Sequence, residues 1–420
     1  MLGLQVRIIV ALCLLLPRVA PSADLGYKPQ TEAARLSVLG DNLFRQSQFE
    51  DAESAYSEAL RLDPGSVKSH LGMGKIAAML SDRRLAARHY SAAYQAEPLN
   101  ADATLAFASA VEDRESRRIL LRNFLALAPA KDERKPDVRA RLQIEERLGI
   151  RKVALLESPY QPYRIRLSNL RRGGLLLGAR INGGSDLRLI LDTGATGVAL
   201  NASAGRNAGL EFLAASAFTG FGSASPTPAR VALAASFETG DFKVTNLLVQ
   251  VSDTELTADA DGMIGLDVFE DFLIELNPHE RRLDLTPLDD ASATCTNCAR
   301  AYRVGHLLLV HGEVNGHGNG YFIVDTGSPC TMISQELMPR SGRAATMTGT
   351  QGEQAVIVPL APLTLRLGTQ HLWGFEYATL DTMAISQSNG TAIAGAIGYS
   401  LLRDLSLTVN YRAGWVKLSK

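Results

Sequence analysis

The chain has 420 residues, a formal net charge of −1 at pH 7 and 46% hydrophobic residues. This length predicts two or three domains. The near-zero charge excludes a strongly charged surface that would attract nucleic acid or an acidic membrane, and four cysteines are too few for a disulfide-built scaffold.

Residues 1–23 have the pattern of a secretory signal peptide. A short end with Arg7 precedes the apolar run 8–16, and Pro17 and small residues follow. Such a run is too short to cross a bilayer, and it matches the core of an export signal. We therefore expect an exported bacterial protein, periplasmic or secreted, with no membrane span after signal removal. An uncleaved anchor is the alternative.

Residues 31–130 contain small and aromatic residues that recur with a constant period. The matched residues are Gly40, Ala52, Tyr56, Ala59 and Pro64 in one unit and Gly74, Ala86, Tyr90, Ala93 and Pro98 in the next. Small residues let two helices approach closely, and proline ends the second helix. The pattern resembles the tetratricopeptide repeat and predicts helix pairs, with a shortened third unit at 101–129. It implies either a surface for a protein partner or a packing platform for the neighbouring domain.

The segment 131–155 is charged and favours a helix, and it is followed by a proline-containing stretch at 158–162. We interpret 131–155 as a bridging helix and linker. Beyond it, short apolar runs separated by glycine-rich turns predict two all-β lobes at 156–290 and 300–420.

The two predicted lobes share a five-residue pattern in which an apolar strand ends in Asp-Thr-Gly, at 190–194 and 323–327. The distance along the chain from Asp192 to Asp325, here called the lobe interval, also separates Gly265 from Gly398. It separates Asn182 from Asn315 as well. A spacing kept at several places predicts a tandem duplication and therefore a two-lobed domain.

Each unit resembles a lobe of the retropepsin-like (pepsin-type) aspartic proteases, over about residues 160–420. The resemblance implies a bilobal all-β fold and an aspartic endopeptidase that acts on a peptide or protein without a cofactor or metal. Asp192 and Asp325 would be the catalytic pair, one charged to activate water and the other protonated to polarise the scissile carbonyl. Because one chain supplies both lobes, dimerisation is not required.

Paired carboxylates suit this chemistry because two like charges at hydrogen-bonding distance cannot both form easily, so the pair shares one proton. Aspartic proteases are the established example of this effect. The resemblance also implies support of the catalytic loops by Thr193, Gly194, Thr326, Gly327, Gly265 and Gly398.

A flap that covers the substrate is implied at the hairpin tip that contains Phe218, Gly220, Phe221 and Gly222. Core packing is the alternative for the two phenylalanines. A second hairpin tip at 347–352 is the other candidate, so the choice of flap stays open.

The cysteines and histidines outside the aspartate pair favour structural roles over metal binding. Cys295 and Cys298 predict a local disulfide or two free thiols, since no second ligand pair at zinc spacing is present. The histidines of the second lobe, at positions 306, 311 and 317, are assigned to a strand and a glycine-rich turn, with no metal site expected.

Two alternatives to an enzyme remain. Pro329 and Cys330, close to the second aspartate, favour an inactive peptide-binding protein with the same fold. A scaffold that acts through the helical repeats alone is the other, although it leaves the paired aspartates unexplained.

Overall fold

The computed structural model describes residues 31–171, 173–218, 227–316, 318–338, 342–349, 352–359, 361–374 and 377–420. The predicted signal peptide at 1–23 lies outside these residues. Within the described ranges, no helix is both long enough and apolar enough to cross a membrane.

The amino-terminal part of the described chain is helical, as predicted. Its helices are α1 (Glu32–Arg45), α2 (Phe49–Leu62), α3 (Val67–Met79), α4 (Arg83–Ala96), α5 (Ala101–Ala110), α6 (Arg114–Leu127) and α7 (Lys135–Leu148). Helices α2 and α4 begin at Phe49 and Arg83, and this separation equals the period of the sequence pattern.

Two tyrosine rings explain the small residues of that pattern. Tyr56 lies so close to Gly40 and Gly72 that an added Cβ would come within 2.6 and 2.3 Å of its ring. A Cβ at Gly74 would come within 2.4 Å of Tyr90 in the same way. The helices can therefore pack at this distance only because these positions have no side chain.

The rest of the described chain is largely β, as predicted. Lobe one contains β1 (Leu155–Leu156), β2 (Tyr163–Asn169), β3 (Leu175–Ile181), β4 (Leu187–Leu191), β5 (Val198–Leu200), β6 (Glu211–Phe218), β7 (Thr227–Thr239), β8 (Phe242–Ser252), β9 (Gly262–Ile264), β10 (Phe272–Asn277) and β11 (Arg282–Pro287). Lobe two contains β12 (Ala299–Val304), β13 (Leu307–Val314), β14 (Gly318–Val324), β15 (Thr331–Ser334), β16 (Arg343–Gly349), β17 (Gly352–Val358), β18 (Leu363–Leu367), β19 (Gln370–Gly374), β20 (Tyr377–Leu380), β21 (Gly395–Ile397), β22 (Ser406–Asn410) and β23 (Trp415–Ser419). Short helices are α8 (Ala202–Asn207), α9 (Met383–Asn389) and α10 (Tyr399–Leu402), with 3-10 turns at Leu266–Phe269 and Asp290–Ala293.

A sheet of antiparallel strands joins the two lobes. Its order is β2, β11, β10, β22, β23, β12. The central pair has one strand from each lobe, with Leu276 of β10 opposite Leu407 of β22. Corresponding strands lie at equal distances from the middle of this sheet, so a pseudo-twofold axis passes between β10 and β22.

Inside each lobe, the strand that ends in Asp-Thr-Gly pairs in parallel with a later, short strand. Leu189 of β4 lies opposite Gly262 of β9, and Phe322 of β14 lies opposite Gly395 of β21. Both members of the second pair follow those of the first by the lobe interval. The duplication therefore extends to the register of the strands, and it brings both Asp-Thr-Gly loops towards the pseudo-twofold axis.

The helices pack directly on lobe two. Phe49, fully buried at the start of α2, has its ring centroid 4.6 Å from that of Tyr302 and 4.8 Å from that of Tyr321. Arg83 of α4 reaches lobe one through an ion pair of 2.7 Å with Glu270. The helical region thus serves as a packing surface for the lobes, and a separate protein partner stays a prediction.

Candidate active site

Two loops at the lobe interface carry the predicted aspartates. Strands β4 and β14 end one residue before Asp192 and Asp325. The Asp192 N–H donates to the Ile264 carbonyl at 2.9 Å, and the Asp325 N–H donates to the Ile397 carbonyl at 3.0 Å. Each aspartate is therefore held by the short strand that runs parallel to its own.

The two carboxyl groups meet across the pseudo-twofold axis, and each changes the pKa of the other. Each carboxyl group also packs against the glycine of the opposite loop. A Cβ at Gly194 would be 3.2 Å from Asp325 Cγ, and a Cβ at Gly327 would be 2.2 Å from Asp192 Cγ. The structure thus brings together the two carboxyl groups that the duplicated pattern singled out.

Backbone N–H groups hold each carboxyl group in place. Gly194 N–H donates to Asp192 Oδ1 at 2.7 Å. Gly327 N–H and Ser328 N–H both donate to Asp325 Oδ1, at 3.1 and 3.0 Å. These donors favour a charged carboxylate in a site that is otherwise buried.

Burial is the largest cause that raises the pKa of both aspartates. For Asp325, burial is the largest cause, the charge of Asp192 and their shared hydrogen bond add to it, and the pKa lies well above its ordinary value. For Asp192, burial raises the pKa, but the Gly194 N–H and the hydrogen bond from Asp325 act against it. The two carboxyl groups therefore titrate as a coupled pair that shares one proton.

The threonines of the two loops bind each other's backbone. Thr193 N–H donates to Thr326 Oγ1 at 3.1 Å, and Thr326 N–H donates to Thr193 Oγ1 at 2.9 Å. The two hydroxyls donate in turn to the carbonyls of Val324 (2.6 Å) and Leu191 (2.9 Å). All four bonds are buried, so they connect the lobes directly beneath the carboxyl groups.

Gly265 and Gly398 lie where a strand passes under each loop. A Cβ on Gly265 would be 2.4 Å from the Ala195 carbonyl oxygen, and one on Gly398 would be 2.2 Å from the Cys330 carbonyl oxygen. A larger residue at either position would push the loop away from the strand that supports it.

The side chains that support the two loops from outside differ. In lobe one, Asp267 accepts hydrogen bonds from the Thr196 hydroxyl at 2.8 Å and the Gly197 N–H at 2.9 Å. Its counterpart, one lobe interval later, is Ser400, whose hydroxyl accepts from Thr331 N–H at 3.2 Å. A charged group therefore supports loop one, and a neutral group supports loop two.

The predicted flap falls largely beyond the described residues. Phe218 is the last residue of β6 and pairs with Thr227 of β7, whereas Gly220, Phe221 and Gly222 lie outside the described ranges. In the second hairpin, β16 and β17 pair, and positions 350 and 351 lie outside as well. The choice of flap stays a prediction.

A disulfide joins Cys295 and Cys298 in the connector between the lobes, which is one of the two alternatives expected from their spacing. Among the described residues, no group of three or more His, Cys, Asp or Glu residues is placed to hold a metal ion.

The second-lobe histidines lie in different places. His311 is on β13, and position 317 lies outside the described residues. His306 lies half-buried in the turn between β12 and β13, where burial lowers its pKa.

A separate groove of about 1200 Å³ lies between the helices and lobe two. Residues that line it include Phe44, Lys75, Tyr90, Arg117, Arg303 and Gly305, and neither aspartate is among its lining residues. The groove is therefore distinct from the site of the carboxyl pair.

Comparison with known protein families finds a match in lobe one. Residues 177–268, which include the first Asp-Thr-Gly loop, match the family model described as aspartyl protease. A comparison with curated proteins found no match. Among solved structures, the aspartic proteinase from Irpex lacteus is similar at a TM-score of 0.43 and 13% identity, over 62% of this chain and 97% of that chain. The first lobe of this chain is therefore similar in sequence to the aspartyl proteases.

Proposed function

We propose that this protein is an aspartic endopeptidase that hydrolyses peptide bonds with a water molecule activated by Asp192 and Asp325. One observation carries the proposal: two half-buried carboxyl groups from duplicated loops meet across the pseudo-twofold axis, each packed against the glycine of the opposite loop. The family match over 177–268 supports it, because this segment contains the first of the two loops.

Because the two carboxyl groups share one proton, one acts as the base and the other as the acid. The charged aspartate takes a proton from water while the water oxygen bonds to the scissile carbonyl carbon. The protonated aspartate donates its proton to the carbonyl oxygen as negative charge develops there. The tetrahedral intermediate then collapses: the leaving nitrogen takes the proton from the first aspartate, the C–N bond breaks, and the second aspartate recovers its proton. The pair returns to its starting state.

The test is cleavage of a mixed peptide library by the purified protein across pH, with and without a statine-type inhibitor. We expect cleavage that the inhibitor blocks and that Asp192→Asn or Asp325→Asn reduces by about 10³-fold or more, because each variant removes one proton-transfer group. Asp186→Asn is the matched control, since Asp186 is exposed and lies outside the site. Substantial turnover in either single variant would show that the site has been misplaced.

An inactive peptide-binding protein is the second candidate, since Pro329 and Cys330 depart from the first loop's pattern two residues beyond Gly327. This candidate predicts binding of the statine-type inhibitor, measured by calorimetry, without cleavage of any library peptide. Either protein would act outside the cytoplasm if residues 1–23 direct export, which cell fractionation tests. A scaffold that works only through the helices would neither cleave peptides nor bind the inhibitor.

A further inference from the structure

The groove between the helices and lobe two carries an excess of positive charge. Its walls come from the ends of α1, α3 and α5, the start of α4, and the turn that follows β12. Among the described residues that line it, two are acidic, Asp41 and Glu112. The basic residues on its walls are Arg45, Lys75, Arg83, Arg84, Arg117 and Arg303. Since the whole chain has a formal net charge of −1, this excess is local to the groove.

Three of the basic residues are neutralised only in part. Arg83 of α4 and Arg303 of β12 both form an ion pair with Glu270. Arg117 likewise shares Glu145 with a second arginine. In each case two positive charges face one carboxylate, so positive charge remains on the walls of the groove.

Two further cations, Lys75 and Arg84, are available to a ligand. Both side chains are exposed. Within the described part of the chain, no carboxylate lies within ion-pair distance of either. The acidic Asp41, by contrast, is already bound: it accepts a hydrogen bond from the Tyr56 hydroxyl at 2.6 Å and pairs with Lys68 at 2.9 Å. The charges of the groove that are left to bind a ligand are therefore mainly positive.

The size and the apolar lining of the groove indicate the kind of ligand. Its volume of about 1200 Å³ exceeds the roughly 300–1,000 Å³ that is usual for small-molecule pockets. Between the basic residues, the walls carry small apolar side chains, among them those of Ala78, Ala87, Ala110 and Val304. Small side chains let a polypeptide backbone approach, and neighbouring cations can bind carboxylates along it. The groove therefore suits an extended segment of polypeptide with acidic side chains.

The aromatic side chains that line the groove are covered. Tyr56 and Tyr90 are 2% and 7% exposed. The Lys75 ammonium lies over the Phe44 ring, 5.9 Å from its centroid. Proteins that bind single-stranded nucleic acid without sequence preference use exposed rings on which the bases stack. The lining of the groove therefore favours a polypeptide over a nucleic acid.

We infer that this groove binds an acidic, extended segment of a polypeptide, with Lys75 and Arg84 bound to its carboxylates. Both domains build the site, because the helices supply these two cations and lobe two supplies Arg303. The complete site therefore exists only where the helices pack on lobe two. The inference concerns binding alone and does not depend on the proposed function.

The first test measures the binding of a short, fluorescein-labelled peptide of alternating glutamate and serine by fluorescence anisotropy. The full chain carries Asp192→Asn, so that the probe is not cleaved. In the control probe, glutamine replaces glutamate. We expect the acidic probe to bind about tenfold more tightly at low salt and to lose most of this advantage at high salt. Equal affinities for the two probes would overturn the inference.

The second test locates the site by adding Lys75→Gln and Arg84→Gln together. The matched control adds Arg35→Gln and Arg88→Gln, which remove the same charge from exposed helical positions that do not line the groove. The first pair should weaken binding of the acidic probe by about tenfold, as expected for two exposed ion pairs at low salt. The control pair should leave the affinity within about twofold. Equal losses in the two proteins would overturn the inference, and circular dichroism establishes beforehand that both are folded.

The third test separates a polypeptide from other anionic polymers. A fluorescein-labelled oligouridylate of the same length should bind more weakly than the acidic peptide. Tighter binding of the oligouridylate, lost in the variant that lacks Lys75 and Arg84, would overturn the assignment to a polypeptide. Absence of peptide cleavage by the wild type would contradict the proposed function alone, and these binding measurements would still decide the inference.

Discussion

The two catalytic loops have the same backbone and different electrostatic surroundings. Both follow a buried strand, both lie above a short parallel strand, and their threonines exchange equivalent hydrogen bonds. The side chains that support the loops from outside differ, because Asp267 in lobe one corresponds to Ser400 in lobe two. A carboxylate thus supports loop one, and a neutral hydroxyl supports loop two.

This difference teaches that a duplicated fold need not give duplicated chemistry. Hydrogen bonds between strands determine where the two carboxyl groups meet. The side chains around each loop differ, so the two carboxyl groups of one coupled pair have different surroundings. Substitutions at matched positions can test how far the likeness of the loops extends.

The largest expected effect comes from the two loop glycines. A Cβ at Gly327 would be 2.2 Å from Asp192 Cγ, whereas one at Gly194 would be 3.2 Å from Asp325 Cγ. Gly327→Ala should therefore displace the carboxyl pair and lower kcat by about 10²-fold, and Gly194→Ala should lower it less. Steady-state kinetics on one peptide substrate measure both, and equal losses would contradict the asymmetry.

The next effect should be the same in both lobes. Thr193→Val and Thr326→Val each remove two buried hydrogen bonds and leave one N–H of the opposite loop unpaired. We expect each to lower the free energy of unfolding by about 2 kcal/mol. Urea unfolding curves measure the loss. If the two variants differed by more than about 1 kcal/mol, the two threonines would contribute unequally to stability although their hydrogen bonds are equivalent.

A smaller effect on the free energy of unfolding should distinguish Asp267 from Ser400, the side chains that support the two loops from outside. Asp267→Ala leaves the Gly197 N–H without its charged acceptor, and we expect it to lower the free energy of unfolding by about 1.5 kcal/mol. Ser400→Ala removes a neutral acceptor from Thr331 N–H and should have about half that effect. Thermal melting compares the two, and a larger loss for Ser400→Ala would reverse the assignment of the more strongly supported loop.

The last prediction is a pH dependence of stability that arises from Asp325. Its pKa is raised on folding, so the folded state binds more protons than the unfolded state above the ordinary pKa of an aspartate. Stability should then fall as pH rises from that value towards the folded pKa, by at most about 1.4 kcal/mol per pH unit. Asp325→Asn should flatten this slope, as melting temperatures measured from acidic to neutral pH would show. If the substitution left the pH dependence of stability unchanged, a group other than Asp325 would be responsible for it.

Repetition made much of this protein predictable. The period of the amino-terminal pattern predicted the helix pairs, and the lobe interval singled out both aspartates, because a repeated pattern carries its own internal check. Asp267 was overlooked as a support of the first loop, since its hydrogen bonds to Thr196 and Gly197 join residues that are far apart in the chain. Such contacts leave no periodic pattern in the sequence.

The packing of the helices on lobe two was also left open by the sequence. Both a partner surface and a packing platform fitted the repeat, and burial of Phe49 against Tyr302 and Tyr321 shows the second of these. An aromatic residue at the start of a helix has the same local pattern whether its ring packs within the helical region or on another domain.

By itself the sequence determined the helical region, the two β lobes and the pair of Asp-Thr-Gly loops. Hydrophobic periodicity and repeat spacing can be recognised from the order of the residues alone, so no structure was needed for these features. Only the tertiary structure decided that the two carboxyl groups meet at the pseudo-twofold axis and that the loop threonines exchange hydrogen bonds beneath them. Those features depend on neighbours from the opposite lobe, and such neighbours come together only when the chain has folded.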